Sequence, residues 1–179
     1  MESKIKVAGH PLHPMLVGFP VTLYVATFAC FLAARMGADP FWFRVGVYAN
    51  LAGIATAAVA AVPGFIDWAF GVENGTPAKS TGLAHMGFNV GALVVFALNL
   101  FLVWNHRVDA IPSTKFVLLP LIGLGLTVAA GFLGWKMVQT HHVGVDLTPE
   151  QRRLEPRPTP PLRPAAPPHG MEHGPRPSL

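Results

Sequence analysis

The chain has 179 residues, of which 51% are hydrophobic and only 12% charged, and its mean hydropathy is +0.43. Soluble domains carry about 25% charged residues, so a disordered chain is excluded and an ordinary water-soluble globule is disfavoured. The net charge of +4 does not point to nucleic acid: Arg152, Arg153, Arg157, Arg163 and Arg176 crowd toward the C-terminus, where a membrane-surface or solubilising role accounts for them.

The N-terminal stretch carries Lys4 and Lys6 and runs into His10-Pro11-Leu12-His13-Pro14. That is a poor secretory leader, and no small-residue cleavage site follows cleanly, so the first apolar block is read as a retained helix. A residue before proline is pushed out of the helical region, so His10 and His13 are expected in extended or turn conformation. His13 is expected as the N-cap of a helix starting at Pro14.

Four blocks, residues 16–34, 45–66, 83–104 and 116–135, contain no formal charge. Each is close to the roughly 20 residues that cross a bilayer as helix. The fold class expected is all-α, a polytopic transmembrane four-helix bundle, with helices over about 14–35, 43–67, 82–105 and 115–138. Trp42, Trp68, Trp104 and Trp135 stand at block ends, as interfacial aromatic belts require. Pro63-Gly64 is expected to kink the second helix, and residues 71–82 to form a polar loop. Small residues recur every four positions at Ala49, Gly53, Ala57 and Ala61, and again at Gly123, Thr127 and Gly131. That spacing predicts close helix packing, with a homo-oligomer seam as the alternative.

The four-helix domain is placed at 1–146 and a Pro/Arg-rich tail at 147–179. Ten of the eighteen prolines follow residue 148, so extended or disordered chain without helix is expected there. His169 and His173 in this tail are read as solvated. An even number of spans puts both termini on one side. Lys4, Lys6, Lys79, Lys136, Arg152 and Arg153 lie there, against Arg35, Arg44, Arg107 and Lys115 opposite. The positive-inside rule then favours cytoplasmic termini.

Polar residues gather at the terminal side. His10 and His13 open the first helix, Asp67 closes the second, His85 and Asn89 share one face of the third, and His141 and His142 follow the fourth. Ionisable groups at membrane depth are costly, and such a cluster is a candidate site. A purely structural polar layer, with Asp67 paired to Lys79 or Lys136, stands beside that reading. The single cysteine, Cys30, excludes an intrachain disulfide and a multi-cysteine metal site. Transport finds little support, since Asn99 is the main polar residue deep in a span. No nucleophile with its base can be assembled, so an enzyme is not the favoured class.

Several motifs together resemble the bacterial family called domain of unknown function 2231. They are Gly9-His10-Pro11-Leu12-His13-Pro14-Met15-Leu16-Val17 with Phe19-Pro20, Pro63-Gly64-Phe65-Ile66-Asp67-Trp68, His85 with Asn89, and Gly134, His141 and Val143-Gly144-Val145. The resemblance covers about residues 9–146. It implies a four-helix membrane domain in the bacterial inner membrane, found alone or beside redox modules such as Rieske-type domains, and without a settled activity. Gly18 stands where the family often has histidine, and His142 where it often has glycine.

Two site chemistries follow. One is haem b held axially by histidines from different helices, drawn from His13, His85 and His141, with Asn89 supporting His85 and Phe19, Phe65, Phe88 and Trp68 lining the crevice. The other is a divalent transition metal ion held by His10, His13, Asp67, His85 and His141, with His142 as a substitute. A third reading is a membrane anchor or assembly partner with no site. The lipid bilayer, a redox protein of the Rieske type and another copy of the chain are the candidate partners.

Overall fold

The computed structural model of this chain describes residues 3–37, 39–106, 113–145 and 147–154. The tail beyond residue 154, with His169 and His173, lies outside the described residues, as do Arg107 and most of the 105–114 loop. Contacts divide the chain into two units, Met1–Asp146 and Leu147–Leu179.

A two-residue strand β1 (Lys6–Val7) pairs antiparallel with β2 (His10–Pro11). Ala8 and Gly9 turn between them with φ of 50° and 83°. Left-handed values at both central residues are what a tight two-residue hairpin requires. The chain then enters helix α1 (Leu12–Leu16) and, after Val17, α2 (Gly18–Arg35). Pro20 has no N–H to offer the Leu16 carbonyl, which accounts for the interruption at Val17.

α3 covers Pro40–Ile66 and passes into a π-helical turn, Asp67–Gly71. α4 covers Pro77–Val103, and α5 covers Lys115–Gln139. Among the described residues, four helical stretches are long and apolar enough to cross a membrane: Leu12–Arg35, Pro40–Gly71, Pro77–His106 and Lys115–Gln139. The chain is an all-α, four-span membrane protein.

Several local expectations need correction. His13 is not an N-cap: it lies inside α1, whose cap position is Pro11. Pro14 is tolerated there because amides of a first turn have no helical acceptor to lose. The second helix starts at Pro40, because the Asp39 carboxylate accepts from the Phe41 amide at 2.7 Å. The third starts at Pro77, five residues earlier than expected, because the Thr76 hydroxyl accepts from the Lys79 amide at 3.3 Å. The polar stretch taken for loop is thus partly a capped first turn with proline at its head.

In the second unit, α6 (Pro149–Leu154) is helical where extended chain was expected. Thr148 and Gln151 explain it by exchanging two bonds. The Thr148 amide donates to the Gln151 side chain at 2.9 Å, and the Gln151 amide donates to the Thr148 hydroxyl at 3.2 Å. This is a capping box with proline at the first helical position.

The spans form two helical hairpins, α2 on α3 and α4 on α5, and packing within each is far more extensive than between them. Rings set against glycines hold each hairpin. A Cβ on Gly53 would lie 2.9 Å from the Tyr24 ring, and one on Gly123 only 2.6 Å from the Phe96 ring. Tyr24 and Phe96 then stack on each other at 3.7 Å, nearly parallel, and join the hairpins. The expected small-residue rows are therefore half right. Ala49, Gly53 and Gly123 face inward, but Ala61 and Gly131 are exposed.

The two hairpins repeat one another. His13 and Tyr24 recur at the same spacing as His85 and Phe96, and Gly53, Ala60 and Gly64 recur as Gly123, Ala130 and Gly134. The contacts recur as well, since each ring meets its glycine in both halves. Both hairpins start from the same end, so the repeat is parallel, with its pseudo-two-fold axis running along the bundle.

Gly123→Ala is expected to destabilise the bundle by about 1–3 kcal/mol through overpacking. Gly131→Ala, with open space around it, is expected to leave stability nearly unchanged. Thermal unfolding in detergent compares the two.

Candidate functional site

The end of the bundle that carries the β-hairpin also carries the predicted site residues. α1 presents His13 to α3. The Ala60 carbonyl can only accept, so the His13 Nδ1–H donates to it, at 2.8 Å. Gly64, one turn on, lets the ring lie against the backbone: a Cβ there would come within 2.7 Å of the imidazole.

α4 presents His85 to α5 in the same way. His85 Nδ1–H donates to the Ala130 carbonyl at 2.8 Å, and a Cβ on Gly134 would come within 3.0 Å of the ring. In both rings the carbonyl fixes the proton on Nδ1, which leaves Nε2 as the nitrogen with a lone pair in the neutral imidazole. The Asn89 amide nitrogen, 3.1 Å from His85 Nε2, donates to it, and the same nitrogen lies 2.9 Å from the His85 carbonyl. The two imidazoles meet across the seam between hairpins, with ring centres 6.3 Å apart and planes at 88°.

The other predicted residues are engaged elsewhere. The Asp67 carboxylate straps down the N-terminal segment. Its Oδ2 accepts from the Ser3 hydroxyl at 2.8 Å, and its Oδ1 accepts from the amides of Lys4 at 2.6 Å and Ile5 at 3.2 Å. The structural reading had expected it to pair with Lys79 or Lys136, but it pairs with neither. His141 Nε2 lies 3.3 Å from the Thr81 hydroxyl and ties the end of α5 to α4. His10 is exposed on β2. His142 is half-buried and turns the chain at a φ of 49°. Among the described residues, no three His, Cys, Asp or Glu side chains are arranged to hold a metal ion. The five expected ligands therefore reduce to one close pair, His13 and His85. The aromatic lining is also looser than expected, since Phe19, Phe65 and Phe88 are exposed.

Lys79 has a role that charge counting missed. Its Nζ donates to the carbonyls of Trp68 at 2.6 Å and of Ala69 and Val72 at 3.2 Å, and it sits 4.3 Å from the centre of the Trp68 ring. Trp68 answers by donating its Nε1–H to the Lys79 carbonyl at 3.1 Å. The ammonium thus satisfies carbonyls that the π turn leaves without helical partners. Gly64 and Gly134 were also missed as site residues. The repeat that marks them is legible by comparing the chain with itself.

A family model described as "Predicted membrane protein (DUF2231)" matches residues 9–147. Neither the curated proteins nor the solved structures provide a match.

Asp67→Ala is expected to raise hydrogen exchange at the Lys4 and Ile5 amides by about tenfold or more, the scale of losing a charge-assisted bond. Exchange along α4 and α5 is expected to stay unchanged, and mass spectrometry after deuterium labelling checks both.

Proposed function

Since the chain belongs to the DUF2231 family of predicted membrane proteins, we propose that its four-helix domain is an electron carrier that binds haem b through His13 and His85. The observation that carries this reading is the imidazole pair. Both rings are held by Nδ1–H bonds to backbone carbonyls, and their centres are 6.3 Å apart. Such a bond orients a metal-ligating histidine and raises its basicity. An imidazole nitrogen lies about 1.2 Å from its ring centre and metal–nitrogen bonds run about 2.0–2.1 Å, so two imidazoles on one metal put their centres up to about 6.5 Å apart.

The number of donors supports haem over a bare ion. A structural metal ion takes about four protein ligands, and the described residues bring together two. Two imidazoles would suffice to hold haem, whose macrocycle supplies the remaining nitrogens. Bound haem would supply one-electron chemistry. The residues of this chain would do the holding: Ala60 and Ala130 fix the tautomers, Gly64 and Gly134 leave room for the rings, and Asn89 releases His85 Nε2. The partner expected is a one-electron redox protein of the Rieske type docking at the hairpin end. The setting expected is the bacterial inner membrane with cytoplasmic termini, supported by the bias of basic residues toward that end.

The full chain, purified in detergent after expression with haem supplied, is expected to give sharp visible bands in a reduced-minus-oxidised spectrum. His13→Ala and His85→Ala are each expected to remove them, and Asp67→Ala to keep them. A flat spectrum overturns the haem reading. Elemental analysis then decides between a bare ion at the same pair and a bundle with a purely structural role.

A further inference from the structure

A second group of polar side chains lies deeper in the bundle, away from the histidines. Asn50 on α3 and Asn99 on α4 are completely enclosed, and Tyr24 on α2 is nearly so. Their carboxamide nitrogens and oxygens and the Tyr24 hydroxyl are all buried without a hydrogen-bond partner among the described residues.

Their level in the bundle follows from the contacts already described. Tyr24, Gly53, Phe96 and Gly123 meet at one height through the two ring-on-glycine contacts and the stack. Residues three apart share a helix face. Thr27, Asn50, Asn99 and Pro120 are each three residues from that level, all displaced toward the same end, and all are buried. They form the next layer. Pro120 contributes too, since without an N–H it leaves the Phe116 carbonyl with no helical donor. Thr27 is satisfied locally, its hydroxyl donating to the Leu23 carbonyl at 2.8 Å. Beyond this layer the interior is apolar, built on Phe31, Val47, Val103 and Phe116.

A buried carboxamide left unpaired costs about 1–3 kcal/mol, and more is at stake where lipid surrounds the bundle. Direct pairing of the two asparagines would leave part of each carboxamide and the Tyr24 hydroxyl unmet, because each carboxamide brings two N–H donors besides its carbonyl. A cation would find carbonyl oxygens there but no counter-charge, since residues 16–34, 45–66, 83–104 and 116–135 contain no Asp or Glu side chain. An uncompensated charge at that depth is strongly disfavoured. Water meets donors and acceptors alike and brings no charge.

We propose that Tyr24, Asn50 and Asn99 enclose an internal hydration site within the membrane-spanning core, holding ordered water between the aromatic stack and the apolar layer. The water bridges both carboxamides and the Tyr24 hydroxyl, and it bonds across the seam between the hairpins.

The test uses the full chain in lipid nanodiscs, labelled with 15N-asparagine, and reads magnetisation transfer between water and the side-chain NH2 groups. Asn50 and Asn99 are expected to show transfer of the sign given by long-lived bound water. Asn99→Leu is expected to abolish or strongly reduce the transfer at Asn50, and Asn50→Leu that at Asn99. Absence of water transfer at both carboxamides in the unmodified chain, with cross-peaks only to each other or to protein protons, overturns the proposal. That result needs no variant to fold. Transfer at Asn50 that persists unchanged in a folded Asn99→Leu chain also overturns it, because the water would then not be shared.

Discussion

In a bilayer core no solvent competes for peptide hydrogen bonds, so each span must close its own backbone ladder and every break needs a partner from within the chain. Several of the breaks here are met close by. The Lys79 ammonium covers the carbonyls released by the π turn. Asp39 and Thr76 cap the helices that follow them. The Asp67 carboxylate takes up two amides of the N-terminal segment as well as the Ser3 hydroxyl. The same economy orients the candidate site, for His13 and His85 are set by backbone carbonyls on the neighbouring helix and not by acidic side chains. A neutral orienting bond suits a place where a second charge would have to be desolvated.

Shape supplies the rest. Lipid tails are as apolar as the side chains they touch, so helix association depends on close contact more than on the hydrophobic effect. The rings on Gly53 and Gly123 provide that contact within each hairpin, and the stack of Tyr24 on Phe96 provides it between them. The histidine pair stands on the same two spans as that stack, eleven residues earlier on each. The spacing of the two imidazoles is thus inherited from how the hairpins pack.

Hydropathy and the four tryptophans made the spans legible, because both signals follow from bilayer thickness alone. The gathering of histidines at one end was legible from the alternation of span direction. Which of them meet was not, because that depends on rotation about each helix axis. The asparagine and threonine partners at His85 and His141 show how local that choice is: Asn89 reaches His85 within one turn, while Thr81 takes His141. The missed helix starts have a simpler cause. Asp39-Pro40, Thr76-Pro77 and Thr148-Pro149 all pair a capping side chain with a proline at the first helical position, a signal that the weight given to apolar blocks concealed. Asn99 stood out as a polar residue deep in a span, but Asn50 was hidden by its surroundings, since a lone amide hardly lowers the hydropathy of a block.

The pseudo-two-fold axis has a consequence for how such a chain is put together. Both hairpins enter from the same end and leave by it, so each is a complete out-and-back unit with the same topology. Two copies of a two-span chain, assembled side by side as a dimer, could be joined tail to head without inverting either one. The join would fall in the segment that became the connection from α3 to α4, where Lys79 and Trp68 now clasp the helix ends. The two halves are not identical at the site: Tyr24 has a hydroxyl where its counterpart is Phe96, and Asn89 attends one imidazole where the matching position of the other half is Val17. Carrying both halves in one chain lets the two histidines differ in their surroundings, as a symmetric dimer of identical chains would not.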